Sequence, residues 1–315
     1  MTRNRRGEGQ PSHVVVAALL TLLLGPLVLG CSRAEAEVLI GLTSTGNLVT
    51  FDSGTPGTIN SSLSITGLGG DTLLGIDRRP ANGLLYALGD SSRVYTINTT
   101  TGLATAVGAA PFSPALSGTA FGFDFNPVPD RIRVVSTDTS DFRLNPNDGT
   151  LAGTDTLLNY AAGDSGAGLT PRIVGSAYSN NFDGTGVTTL FGIDSNRDVL
   201  VIQGGPNGVP SPNGGVLTTI GAGLGFNTSD LVGFDISGLT DIAFASLVPP
   251  TGGPAELFPI DLTTGAATLV GTIGNALTLT GLAADVGAGP TVPEPSSLAL
   301  LALALVGLGF ARRTS

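Results

Sequence analysis

Lysine and tryptophan are absent from this 315-residue chain, and histidine and cysteine occur once each, as His13 and Cys31. Both lie ahead of residue 37, where a cleavage site is expected, so the mature body would have neither. Without His, Cys or Lys there is no Ser-His-Asp triad, no thiol nucleophile and no Schiff-base lysine. The usual zinc ligands are missing, and so are disulfides, so an exported domain must rely on its own core. About 250 residues are enough for one. Charge is also scarce and lopsided: between Glu37 and Pro295 stand 22 carboxylates and 8 arginines, a net charge of −14. Such a body is a poor partner for nucleic acid or an anionic membrane, which require clustered cations. Carboxylate chemistry survives, because a glycosidase needs only a correctly separated Asp/Glu pair. The body has just Glu37 and Glu256 besides Glu294, and only Tyr86, Tyr95, Tyr160 and Tyr178 as tyrosine platforms for a sugar. That scarcity argues against a glycosidase.

Both ends carry export features. Arg3, Arg5 and Arg6 precede an apolar segment from Val14 to Leu29, the n- and h-regions of a secretory signal. Ala34-Glu35-Ala36 supplies a small-x-small cleavage site for signal peptidase. Val28-Leu29-Gly30-Cys31 is also a loose lipobox, in which lipidation on Cys31 would anchor the mature end, although Leu29 is bulky for that position. A permanent N-terminal membrane helix is disfavoured by Pro26 and by the cleavage site. At the other end, Val292-Pro293-Glu294-Pro295 is followed by an apolar run from Leu298 to Ala311 and then Arg312-Arg313. As a helix the run spans about 21 Å, against a hydrocarbon core of roughly 30 Å. Snorkelling arginines would let it halt a chain during export. This tail resembles the PEP-CTERM sorting signal of exported bacterial proteins. The resemblance implies that a membrane protease-transpeptidase, an exosortase, reads the Pro-Glu-Pro motif and removes the helix. The expected organisation is a signal peptide at 1–36, a body at 37–287, a linker at 288–297, a transmembrane sorting helix at 298–311 and a basic tail at 312–315.

The body reads as all-β, with Gly-rich turns between short β-branched runs and almost no helical period. Leu74-Gly75-Ile76-Asp77 opens a unit continued by Leu84–Leu88, Val94–Ile97 and Ala104–Gly108. A second opens at Phe121-Gly122-Phe123-Asp124 and runs through Arg131–Val135 and Phe142–Leu144 to a strand near Leu157. A third opens at Val174-Gly175, and a fourth runs from Val232-Gly233-Phe234-Asp235 to Ala267–Gly271. Gly75, Gly122, Gly175, Gly233 and Gly281 are 47, 53, 58 and 48 residues apart. A four-stranded repeat of this length predicts propeller blades. Leu279–Ala283 looks like an innermost strand with nothing after it, while Val38–Leu42, Asn47–Phe51 and Ser62–Ile65 lack an innermost strand. Joined, they make a composite blade and a five-bladed ring without free sheet edges. Six blades is the runner-up, if the long third repeat hides strands, and an open sandwich comes third. The block Gly122–Pro127, Asp130–Ser136 and Phe142–Pro146 resembles a family of exported bacterial proteins classed only as a domain of unknown function. That resemblance covers roughly Val38 to Asp285 and implies a propeller-like fold but no activity.

Asp77, Asp124 and Asp235 follow the recurrent glycine, and Asp194 sits in a similar Gly-Ile-Asp context. A ring of carboxylates at the axis would hold Ca²⁺. The plainer reading is that each accepts backbone amides at a turn, and Ala177 and Ala283 at the equivalent places favour it. Arg131, Arg133 and Arg143 form the densest positive charge and the first-ranked ligand patch, for a carboxylate or sulfate. Pairing with Asp124, Asp130 or Asp141 to brace a blade is the plainer alternative. Asp138–Asp141 and Asn180–Gly184 are oxygen-rich turns without EF-hand spacing, and Gly221–Gly225 lacks the dinucleotide fingerprint.

The expectation is an exported, non-enzymatic propeller, displayed on or released from the cell surface as a binding or structural part of the extracellular matrix. Its partners would be signal peptidase, an exosortase-type sorting enzyme and an unknown extracellular ligand. No cofactor is implied, with calcium the one ion the aspartates would take. The alternatives are a carboxylate-dependent, Ca²⁺-assisted hydrolase or lyase acting on extracellular polysaccharide, and a calcium-stabilised adhesion module.

Overall fold

The computed structural model describes residues 36–287, so the signal peptide, the linker with its sorting motif and the two terminal hydrophobic helices expected from the sequence lie outside the described residues. No helix among the described residues is long and apolar enough to cross a membrane.

The strands fall into five sheets, antiparallel apart from one short parallel pair in the third blade, arranged as a five-bladed propeller. The composite blade contains β1 (Val38–Thr43), β2 (Asn47–Asp52) and β3 (Ile59–Ser64). Blade one has β4 (Leu73–Arg78), β5 (Leu85–Gly89), β6 (Arg93–Ile97) and β7 (Ala104–Val107). Blade two has β8 (Phe121–Asn126), β9 (Arg131–Ser136), β10 (Asp141–Leu144) and β11 (Leu151–Thr154). Blade three has β12 (Asn159–Tyr160), β13 (Ile173–Tyr178), β14 (Leu190–Asp194), β15 (Val199–Gln203) and β16 (Val216–Ile220). Blade four has β17 (Val232–Ile236), β18 (Ala243–Leu247), β19 (Glu256–Ile260) and β20 (Gly271–Thr272). The last strand, β21 (Leu279–Ala283), pairs with β1 in the register Ile40↔Ala283, Gly41↔Leu282 and Leu42↔Gly281. The first and last strands of the described residues therefore close the ring, as the incomplete first and last repeats require.

Two details depart from the sequence reading. The strand expected near Leu157 splits: β11 completes blade two, while β12 crosses to blade three and pairs in parallel with β16. The extra length of the third repeat lies in its loops, the Pro/Gly stretch from Gly204 to Gly215 among them, and the described residues form no sixth blade. The outer strand of blade four is also shorter than Ala267–Gly271 suggests, being a bridge at Ala267 and the two residues of β20.

Each sheet is packed between two others, so its inner strands bury both faces, and β5 has all five residues inside, while outer strands such as β3 stay largely exposed. Alternation along the strand sends successive side chains to opposite neighbours. In β1, Leu39 joins a cluster with Phe244 and Leu257 of blade four, whereas Ile40 and Leu42 join Ile76, Leu85 and Tyr95 of blade one.

At the axis the innermost strands approach too closely for side chains at the recurrent glycine. A Cβ on Gly233 would lie 2.6 Å from the Leu282 nitrogen, and one on Gly122 would lie 2.9 Å from the Gly175 carbonyl carbon. These atoms are backbone and cannot swing away. Gly233→Ala is therefore expected to destabilise the fold by roughly 1–3 kcal/mol through overpacking at the closing seam. Gly186→Ala, whose added carbon meets nothing within 4 Å, should change stability by less than about 0.5 kcal/mol. Urea unfolding of the two variants checks the pair, and equal stabilities would refute the close-approach argument.

Candidate functional site

The innermost strands give the channel two chemically different ends. Residues at or just before the starts of β4, β8 and β17 (Asp71 to Leu74, Thr119 to Phe121, Asp230 to Val232) line a cavity of about 540 Å³. The β1–β2 turn and Thr280 complete its wall. Hydroxyls of Thr43, Ser44, Thr45, Thr72, Thr119 and Thr280 alternate there with Leu68, Leu74 and Leu231. Asp230 is ion-paired to Arg172, and Asp71 accepts the Tyr95 hydroxyl at 2.8 Å as well as the Ser91 hydroxyl. The glycine waist follows, and beyond it stand the aspartates two residues after Gly75, Gly122 and Gly233.

Asp77, Asp124 and Asp235 converge there. Each is at most 1 % exposed, and one carboxylate oxygen from each lies within 4.8 Å of the others. Each also reaches the innermost strand of the next blade. Asp77 accepts the Phe125 amide at 2.7 Å, Asp124 the Tyr178 amide at 2.9 Å and Asp235 the Ala284 amide at 2.7 Å. The amides are thus mostly those of neighbouring blades, and only Arg78 and Ile236 follow their aspartate in sequence. Ala177 and Ala283 take the corresponding places in blade three and the composite blade, so the set has three members.

Burial raises the pKa of all three. Asp77 is pushed well above the ordinary carboxylate range by burial and then by the charge of Asp235. Asp124 is raised by burial and by the charges of Asp77 and Asp235. Asp235 is raised to about 7, chiefly by burial, while the amides of Ala284 and Ile236 pull it down and Glu37 pushes it up. A hydrogen bond between Asp77 and Asp235 couples the two carboxyls, raising Asp77 and lowering Asp235. Glu37 joins this end of the molecule through Ser237 and Thr240, which donate to its Oε2 at 2.8 and 2.7 Å.

The other candidates lie elsewhere. Asp194 caps its own turn, accepting the amides of Asn196 and Arg197, and takes the Tyr160 hydroxyl. In the arginine set, Arg133 and Arg143 face each other across β9 and β10. Arg133 is 1 % exposed and fully engaged, with Asp141 at 2.5 Å, Asp155 at 2.6 Å, Asn213 at 2.7 Å and Tyr178 at 3.2 Å. Arg143 makes two 2.8 Å bonds to Asp155. Arg131 donates to the Asp130 carbonyl at the strand end, and Asp130 itself pairs with Arg79 of blade one. Arg133 thus bridges blades two and three, Arg143 braces blade two, and Arg131 bonds its own turn. In the oxygen-rich turns, Asp138 binds Ser136 and the Ser140 amide, and Asn180 binds the Val187 carbonyl.

Asp141 was legible in the sequence as a partner for the arginines, and it pairs with Arg133; the mouth was not, nor were Asp155, Tyr178 and Asn213 as further partners of Arg133. The mouth had a weak signal, because Asp71, Thr119 and Asp230 all precede the recurrent glycine by three or four residues. Asn213 and Gln203 had none, since they are polar residues far along the chain that only blade packing brings to Arg133 and Asp141.

Two predictions follow from these charges. Arg133→Ala leaves the buried Asp141 carboxylate with Gln203 but no cation, and takes one of two arginines from Asp155, so it should cost about 3–5 kcal/mol, whereas Arg131→Ala should cost under about 0.5 kcal/mol, both read by urea unfolding. The second concerns pH. Each axial carboxyl holds its proton more tightly folded than unfolded, so the stability it contributes is complete below the ordinary aspartate range. That contribution is lost as pH rises, through about 7 for Asp235. In chelator, Asp124→Asn keeps an acceptor for the Tyr178 amide and removes one charge. It should raise stability above neutral pH by at least about 1.4 kcal/mol, one pKa unit's worth, and flatten the alkaline fall. An unchanged pH–stability curve would refute the assignment.

The PEP-CTERM protein-sorting motif matches residues 291–313. It marks an exported protein that exosortase-type sorting machinery processes, with membrane association during sorting. No curated protein matches the chain. The domain of unknown function DUF4394 matches residues 47–283, most of the propeller from β2 to β21, and the chain belongs to that family.

Proposed function

We propose that this exported propeller acts outside the cell as a non-enzymatic binding or structural component of the extracellular matrix, holding its ligand at the axial mouth. The observation that carries this reading is the separation of the axial aspartates from space, while the two carboxylates that do line the cavity are engaged, Asp71 by the Tyr95 and Ser91 hydroxyls and Asp230 by Arg172 and Ser195. Asp77, Asp124 and Asp235 are at most 1 % exposed, and none lines the 540 Å³ cavity. A general acid or base must come within hydrogen-bond reach of the group it serves. A hydrolase or lyase using these aspartates would need substrate to pass the glycine waist, where neighbouring backbones are in contact. The cavity volume falls within the range of small-ligand pockets, and its wall mixes hydroxyls with apolar side chains as binding sites do. Rigid inner strands from three blades, together with the composite blade, hold that wall in place.

Thr72 is exposed at the mouth, and Thr72→Trp would fill it. The variant is expected to fold with an unchanged melting temperature and to lose at least about tenfold in affinity for matrix isolated from the producing cells. Asp124→Asn should retain binding. Hydrolysis of matrix polysaccharide by the purified body, abolished by Asp124→Asn or Asp235→Asn, would overturn the proposal in favour of the carboxylate-dependent enzyme.

A further inference from the structure

We propose that Asp77, Asp124 and Asp235 together hold a divalent cation of the calcium class, which ties blades one, two and four across the axis beside the closing seam. This goes beyond the matrix role and is independent of it. Three oxygens within 4.8 Å of one another leave a point no more than about 2.8 Å from each. Small side-chain adjustments would reach the 2.3–2.6 Å of calcium–oxygen bonds, a shorter move than the 2.0–2.1 Å magnesium demands.

Two further atoms point the same way. Asp124 Oδ2 is buried and has no hydrogen-bond partner. Outside the trio, Glu37 Oε1 is also buried without a partner, in a side chain whose charge reaches Asp235. Protons alone do not satisfy these atoms. A shared proton serves the Asp77–Asp235 pair, yet a proton on Asp124 Oδ2 would have no acceptor. Positive side chains are no help. The chain has no lysine. Arg133, paired in register with Asp124, spends its guanidinium on Tyr178, Asp141, Asp155 and Asn213. A cation accepts lone pairs from all three carboxylates while their other lone pairs keep the inter-blade amides. Since Asp235 Oδ2 also receives the Ala284 amide, just past β21, the ion would reinforce closure of the ring.

The test uses the full mature body, purified without chelator. Elemental analysis above neutral pH should find one calcium per chain. The melting temperature should rise with calcium chloride, fall with EDTA and respond less to magnesium. Asp124→Asn should lose both the metal and the response, while its melting temperature in EDTA stays at or above that of the parent, showing that it folds. Asp183→Asn, in an oxygen-rich exposed turn, should behave as the parent. Absence of bound metal together with equal melting temperatures in calcium and EDTA would overturn the proposal, leaving a proton-sharing trio. Retention of calcium by Asp124→Asn, or a magnesium response equal to that of calcium, would overturn it as well.

Discussion

The antiparallel pairing of β21 with β1 is the interaction on which the other contacts depend. A propeller blade has its faces covered only when blades stand on both sides of it, so an open arc of five would expose two apolar sheet faces. Here Ile40, Gly41 and Leu42 pair with Ala283, Leu282 and Gly281, and the faces of the resulting sheet pack on blades four and one. No disulfide is available to do this work, so hydrogen bonds and burial must. The closure also joins residues more than 230 positions apart, which puts a large loop entropy against it. That cost is met by the five interfaces that become complete together once the ring shuts.

Those interfaces are not alike. Four of them carry large apolar clusters, such as the one uniting Phe191 and Leu200 of blade three with Phe234 and Phe258 of blade four. Between blades two and three the apolar cluster is smaller, and its only member from blade two is Val135. Arg133 stands beside it, with Asp141 and Asp155 on its own blade and Tyr178 and Asn213 on the next. Gln203 extends the network by donating to Asp141 at 2.6 Å. A buried ionic network adds little net stability compared with apolar packing, but it tolerates few alternative arrangements because each unmatched group is costly. β12, which crosses between these same two blades, adds a covalent tie at the interface that has least apolar cohesion.

The same ring geometry separates the two ends of the channel. Glycines let the innermost strands touch, and that contact divides the hydroxyl-lined mouth from the aspartates beyond it. The aspartates therefore meet one another and the amides of neighbouring strands, in surroundings where ionisation is expensive. Their chemistry is directed at the protein's own closure, and the mouth is left as the place where another molecule can be met.

Composition and pattern alone determined a good deal. The absence of His, Cys and Lys from residues 37–287 removes whole classes of mechanism from the propeller whatever the fold, and the sorting tail is legible because its motif, apolar run and arginines are contiguous. The blades were legible because the close approach of inner strands imposes a glycine once per blade, and the closing strand showed itself as two unfinished repeats. Tertiary structure alone decided what depends on distance between blades. It set Asp77, Asp124 and Asp235 against one another, gave Arg133 its partners on the next blade, sent Asn159–Tyr160 to a neighbouring sheet and shaped the mouth. No local rule encodes these, because a residue's spacing along its own strand fixes the direction of its side chain, while its neighbour across the axis depends on how many blades close the circle.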